Sequence, residues 1–312
     1  MPPLGHSLRF SYKYLNHKKR HQIEVFESLA ESIPEKYDLL RPYDYAEHVT
    51  EYWRESLSAL EQTCLPRPPV SFLRDHTIRQ NMFPTGHPSL YGTELERLET
   101  WLTKERLGEL LEEDCAGDPI LVNPTYHTTH NSIHHLYHIS RYMANVDDGL
   151  GGVSTVVEWG GGYGNFAKLM RRFSGRPLTY VVIDLPLVSL LQWLYLSSVL
   201  GTDQVALWLD PDAPLIAGRV NVAPVSLIAE RDLHCDLFVS TWALSESTRA
   251  SQDFVAEREW FGADHLLLAY SQGDQIFADS DHLGELARDA GAIEESIDIL
   301  DPFPTDHFYA FR

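Results

Sequence analysis

Residues 153–170 read VSTVVEWGGGYGNFAKLM. Val153 to Val157 form an apolar run, Glu158 follows, and Gly160, Gly161, Gly162 and Gly164 leave the backbone bare before a helical pattern begins. The apolar run predicts a buried strand. Glycines at its end let the chain turn tightly and let a ligand approach backbone atoms. The helix that follows would offer its free N-terminal amides to that ligand. Residues 178–186, LTYVVIDLP, predict a second buried strand that ends at Asp184. An acid about 20 residues past such a loop can accept hydrogen bonds from both hydroxyls of a ribose. Glycine loop and acid together predict an adenosine-containing ligand.

Two cofactors compete for that description. Gly162 to Ala167 match the loose dinucleotide pattern G-x-G-x-x-G/A, which keeps a nicotinamide cofactor as the rival. Three features count against it. Gly160 and Gly161 already occupy the strand end, Asn165 stands at the third-glycine position when Gly160 is taken as the start, and Glu158 puts a carboxylate where a pyrophosphate would lie. A carboxylate there suits a cationic ligand such as S-adenosylmethionine, which carries an ammonium and a sulfonium.

Outward from the loop, the chain after residue 146 alternates. Strands are predicted at 153–159, 178–184, 205–209, 225–229, 236–242, 264–270, 293–299 and 306–311, with helices at 163–173, 186–200, 246–260 and 280–290. The expected fold class is α/β: a Rossmann-like, doubly wound, mainly parallel sheet that ends in an antiparallel hairpin around residues 301–304. Before the joint at residues 147–152 the pattern is helical, at 21–33, 44–62 and 93–113, with Thr93 as N-cap of the last. This organisation divides the chain into a helical cap at 1–145 that shapes an acceptor pocket and a cofactor-binding domain at 146–312. A cap over a self-sufficient core would leave cofactor binding intact when residues 1–120 are removed.

Four segments carry a family resemblance: EWGGGYG at 158–164, IDLPLVSLLQ at 183–192, DLFVSTWALSE at 236–246 and THNSIHHLYH at 129–138. The chain resembles the class I S-adenosylmethionine-dependent methyltransferases, and within them a family of sugar O-methyltransferases. The resemblance covers about residues 120–312, with weaker echoes at 72–74 and 78–83. It implies S-adenosylmethionine as cofactor and a sugar hydroxyl as acceptor: free, nucleotide-linked, or on a glycan or glycosylated natural product. It also implies that Glu158 and the loop glycines Gly160, Gly162 and Gly164 hold the methionine part, Asp184 the ribose and Leu185 the adenine, with Tyr163 and Asn165 lining the site. Ser240 joins the cofactor-binding set. The segment DPDAPLIAGRVNVAP at 210–224 departs from the pattern and obscures the adenine side. A phenolic or other small natural-product hydroxyl is the alternative acceptor.

Methyl transfer to a hydroxyl needs the acceptor oxygen aligned and its proton removed. Residues 123–143 hold five of the chain's 15 histidines. His127, His130, His134 and His138 would form one stripe on a helix, with His135 and Asn131 beside it. Histidine titrates in the right range for a base, so His130, His134 and His135 are the base candidates and Glu246 the second choice. The same stripe also fits structural histidines or a metal site. No paired carboxylates accompany it locally, so a divalent metal is not favoured, although Asp236, Glu246 or Asp281 could approach it in space. Asn131, Thr241, Ser245, Tyr270, Gln272 and Arg79 are substrate-binding candidates, with His307 weaker. Asn81 and His87 belong to a candidate lid. Trp159 and Trp242 read as packing, and Ser245 also reads as a helix N-cap.

Bulk properties bound the rest. The chain has 312 residues, 44% hydrophobic and 22% charged, and a formal net charge of -20. Such a charge disfavours nucleic acid and anionic membrane as partners. No apolar run reaches the roughly 18 residues of a spanning helix. Three scattered cysteines and the absence of a signal-peptide pattern predict a cytoplasmic protein. A homo-oligomer is left open.

Overall fold

The computed structural model describes residues 17–82, 88–300 and 305–312. Helices come first: α1 (His17–Ala30), α2 (Ile33–Leu40), α3 (Glu51–Cys64), α4 (His76–Met82), α5 (Pro88–Trp101), α6 (Lys104–Leu111) and α7 (His130–Asn145). The alternating part follows: β1 (Thr155–Trp159), α8 (Asn165–Ser174), β2 (Thr179–Asp184), α9 (Pro186–Leu200), β3 (Val205–Leu207), β4 (Val220–Pro224), β5 (Leu237–Thr241), α10 (Arg249–Glu257), β6 (His265–Gln272), α11 (Ser280–Asp289), β7 (Ile293–Ser296) and β8 (Asp306–Phe311). The expected α/β class is borne out.

All eight strands form one sheet in the order β3-β4-β2-β1-β5-β6-β8-β7. Strands β1 to β6 pair in parallel, while β8 inserts antiparallel between β6 and β7. The chain leaves β1 toward β2, β3 and β4, then returns to the other side of β1 for β5. A switch point therefore lies between β1 and β5, and it opens a crevice at the carboxyl ends of their strands.

Several predicted boundaries shift for physical reasons. The helix expected at 93–113 begins at Pro88, with proline at its first position, and breaks after Trp101 because Thr103 caps a new helix by accepting from the Arg106 N–H. The strand expected at 225–229 lies at Val220–Pro224, and Val225–Leu227 is a 3₁₀ turn. Buried Asn221 conceals that strand: its side chain bonds the N–H and C=O of Ile216 and so belongs to the preceding loop as much as to the sheet. The helix expected at 246–260 ends at Glu257, where Glu259, Trp260 and Phe261 adopt left-handed φ angles of 51°, 57° and 58°. Residues 301–304 and His87 lie outside the described residues.

Helix α9 explains the longest apolar run. It packs on β2, β3 and β4 on one side and is covered by α1, α2 and α3 on the other. A helix buried on both sides is apolar all round. Among the described residues no helix is long and apolar enough to cross a membrane. Buried residues from Phe26 to Phe311 form one continuous core that runs through both parts of the chain.

Candidate functional site

At the switch point the glycine loop leaves β1 and turns into α8. Gly160 has φ 74°, and a Cβ there would sit 1.9 Å from the Ala243 Cβ. Gly164 caps α8 with φ 93° and packs against Leu196, so a side chain fails on both strain and space. The loop thereby lies against the residues that follow β5.

Loop and strand ends border a cavity of about 380 Å³. One end is lined by Ile183, Leu185, Val188 and Val225, an apolar slot beside Asp184. The middle is bordered by Glu158, Gly160, Gly161, Gly162 and Tyr163. The other end is bordered by His130, Asn131, His134 and His135 from α7, Glu94 from α5, Trp53 from α3, Asn81 and Met82 from α4, and Thr241, Trp242, Glu246, Asp274 and His307 from the sheet side. No lysine or arginine is among the described lining residues.

The carboxyls are held by neutral donors. Glu158 is buried and accepts from the Tyr180 hydroxyl at 3.0 Å. Burial, reinforced by the charge of Asp184, pushes its carboxyl up to about 8. Asp184 accepts from the Leu185 N–H at 2.8 Å and from Gln192 Nε2 at 2.6 Å, and Gln192 also donates to the Gly162 carbonyl at 2.9 Å. Burial outweighs these bonds and raises Asp184 to about 7. Glu246 accepts from the Trp53 indole N–H at 3.2 Å, and burial with the nearby Asp274 charge raises it to about 7.

The histidines occupy distinct settings. Thr129 caps α7, so its helix starts at His130 and carries His130, His134 and His138, while His127 stays in the preceding turn at φ 49°. His134 Nδ1 lies 2.5 Å from Glu94 Oε1, and His130 Nε2 lies 3.9 Å from Glu94 Oε2. His134 Nε2 has no hydrogen-bond partner among the described residues, and an Nδ1–H donated to the Glu94 carboxylate would leave its lone pair free. Burial holds His135 and His138 well below the usual imidazole range. His135 Nδ1 meets Asn165 Nδ2 at 3.2 Å, and His138 Nδ1 meets the Tyr309 hydroxyl at 2.7 Å. Trp242, read from the sequence as packing, lines the cavity with left-handed backbone at φ 72°, its ring parallel to His134 with centroids 6.4 Å apart. A bulky residue held there is strained, and such strain gathers at functional sites.

Of the residues singled out from sequence, Glu158, Gly160, Gly162, Tyr163, Asp184, Leu185, Asn131, His130, His134, His135, Thr241 and Glu246 border this one cavity. Others lie elsewhere. Gly164 and Asn165 support the loop from behind, Asn165 by linking α8 to Ser132 and His135. Ser240 ties the loop after β5 together, accepting from the Leu244 N–H and donating to the Trp159 carbonyl. Ser245 donates to the Trp242 carbonyl at 2.7 Å, and the N-cap of α10 is Thr248, not Ser245. Tyr270 and Gln272 lie against Gly284 of α11, and the Tyr270 hydroxyl donates to Glu294 of β7. Strand alternation turns Ser271, between them, toward the cavity. Arg79 is exposed, one position before the lining residues of α4. Asp236 binds the start of β1 through Ser154 and Thr155, far from the strand ends.

Sequence reasoning missed Glu94, Gln192, Trp53 and Asp274. Glu94 had a readable signal: it shares the buried stripe of α5 with Leu95 and Leu98, where a carboxylate needs a partner. Among the described residues no group of three or more His, Cys, Asp or Glu side chains is placed to hold a metal ion.

No family model and no curated protein matches the chain. Solved structures with a similar course include the mitomycin 7-O-methyltransferase MmcR, 14% identical over 81% of this chain and 75% of that one, with a TM-score of 0.39. An O-methyltransferase family protein from Burkholderia thailandensis is 14% identical over 100% of this chain and 98% of that one, with a TM-score of 0.37. Human N-acetylserotonin methyltransferase, solved in complex with SAM, is 12% identical over 99% and 97%, with a TM-score of 0.35. At these levels the likeness carries no weight for activity, which must be read from the crevice itself.

Proposed function

We propose that the protein is an S-adenosylmethionine-dependent O-methyltransferase acting on a small-molecule hydroxyl. The observation that carries this reading is the charge of the crevice: Glu158 and Asp184 border it, and no described lysine or arginine does. A pyrophosphate would meet buried carboxyls and no described lysine or arginine there, whereas an ammonium and a sulfonium are favoured. Among the described residues neither Glu158 nor Asp184 has a counter-ion, and a cationic ligand supplies one.

In this reading Glu158 and the bare loop hold the ammonium end. Asp184, fixed by Gln192, receives the ribose hydroxyls. Leu185, Val188 and Val225, which line the cavity with Asp184, support an adenine site there. The bound cofactor supplies an electrophilic methyl carbon on a sulfonium leaving group. His134 Nε2, its other nitrogen fixed by Glu94, takes the acceptor's hydroxyl proton as the oxygen–methyl bond forms and the sulfur–methyl bond breaks. Trp242 packs parallel to that imidazole and helps exclude water.

For the acceptor, the comparisons lend nothing to the sugar hydroxyl of the family resemblance. Trp53, Met82, Trp242 and Leu300 at that end favour the alternative, a phenolic or similarly apolar-bodied hydroxyl compound. Three free cysteines fit a reducing, cytoplasmic setting. Helices α3, α4 and α5 cap the acceptor end. Calorimetry with S-adenosylhomocysteine and with NAD tests the reading: homocysteine-nucleoside binding without NAD binding is expected, and the reverse would overturn it.

A further inference from the structure

The acceptor half of the cavity has its own electrostatic character. Its ionisable described lining residues are histidines and the acids Glu94, Glu246 and Asp274. Glu94 is committed to His134. Among the described residues Glu246 accepts from the neutral indole of Trp53 on one oxygen, and Asp274 is braced by the backbone N–H groups of Ile276 at 2.7 Å and Phe277 at 3.2 Å. Neither Glu246 nor Asp274 pairs with a lysine or arginine among the described residues. A second observation shows that a ligand belongs here. His134 lines the cavity and is 4% exposed, and its buried Nε2 has no hydrogen-bond partner among the described residues. A buried acceptor atom left so is costly unless something donates to it.

We infer that the acceptor carries a protonated amine as well as its hydroxyl, with Glu246 and Asp274 receiving the amine while the hydroxyl meets His134. This rests on the methyltransferase reading of the same site. Two carboxyls that line the cavity with no lysine or arginine beside them among the described residues favour a cation and repel an anion. The indole of Trp242, which lines the cavity near His134 and His307, adds attraction for a cationic or aromatic body. Acceptors bearing a carboxylate or phosphate, nucleotide-linked sugars among them, are excluded by the same charges. The shared chemistry, hydroxyl plus ammonium, is found in aryl-alkyl amines and in amino sugars.

The test uses the full chain and two matched series: tyramine, 4-ethylphenol and 4-hydroxyphenylacetate, and glucosamine, glucose and glucuronate. Thermal shift is read for each compound with and without S-adenosylhomocysteine, and methyl transfer is read with labelled cofactor. In the series that binds, the amine is expected to lead the carboxylate by about tenfold or more in affinity, about 1.4 kcal/mol. The paired substitution E246Q/D274N should abolish that lead without moving the S-adenosylhomocysteine shift. Equal or inverted ranking in both series, or no shift by either amine, overturns the inference. An amine lead without any response to S-adenosylhomocysteine sustains it and overturns the methyltransferase reading instead.

Discussion

Glu158 is the residue at which chemistry and stability meet. Its carboxyl sits near 8 in the folded chain against an ordinary 4.5, because burial penalises the charge. The folded state therefore holds this proton more tightly than the unfolded chain does. The stability it contributes is complete below about 4.5 and is lost as pH rises through about 8. Without ligand, Glu158→Gln should melt above the parent protein at pH 8.5, with the gap closing by pH 5.5 in scanning fluorimetry. The ionised form is what an ammonium needs, so S-adenosylhomocysteine affinity should climb from pH 6 to pH 8.5 in the parent. In the variant it should be flat, and about tenfold weaker at the upper end. At the acceptor end, His134→Ala should lower kcat by about 10² to 10⁴, the usual range for a general base. Glu94→Gln should cost less, and S-adenosylhomocysteine affinity should stay intact in both. Unchanged turnover in His134→Ala would move the base elsewhere, to Glu246 first.

At the scale of elements, α7 and α8 are joined by a buried ionic network. Lys168 of α8 meets Glu113 Oε1 at 2.5 Å and Asp114 at 3.4 Å, and Thr129 and Ser132 of α7 donate to Glu113 at 2.8 and 2.6 Å. Burial opposes ionisation of Glu113, yet the Lys168 charge and these bonds outweigh it and hold the carboxyl at about 2. Its contribution is therefore present above about 4.5 and lost as pH falls through about 2. The network stands directly behind Asn165, which touches both Ser132 and His135. Lys168→Met strands a buried carboxylate and should cost about 3–5 kcal/mol in urea unfolding. Lys168→Met with Glu113→Gln should recover much of that loss.

For the whole molecule, the first 145 residues are bound into the sheet domain. Helices α1, α2 and α3 cover α9, Lys19 of α1 donates to the Glu113 carbonyl, and Arg172 of α8 binds Asp114 at 2.7 Å. Residues 146–312 expressed alone should therefore melt without a cooperative transition and should not bind S-adenosylhomocysteine. A folded, cofactor-binding fragment would instead support a separable cap.

Much was legible in one dimension. The buried strands, the glycine turn, Asp184 and the limits of α9 follow from apolar periodicity and from backbone rules that act over a few neighbouring residues, and such rules are written locally in the chain. The His130–His134–His138 stripe was visible for the same reason. The tertiary structure alone decided the rest. It brought Glu94 from α5 to His134, turned Tyr270 and Gln272 away and Ser271 inward, put Asn221 in a strand that its polarity concealed, and gathered Glu158, Asp184 and Glu246 around one cavity. These outcomes depend on burial and on the meeting of residues far apart in sequence. Desolvation and electrostatic pairing act through space, and no spacing along the chain records them.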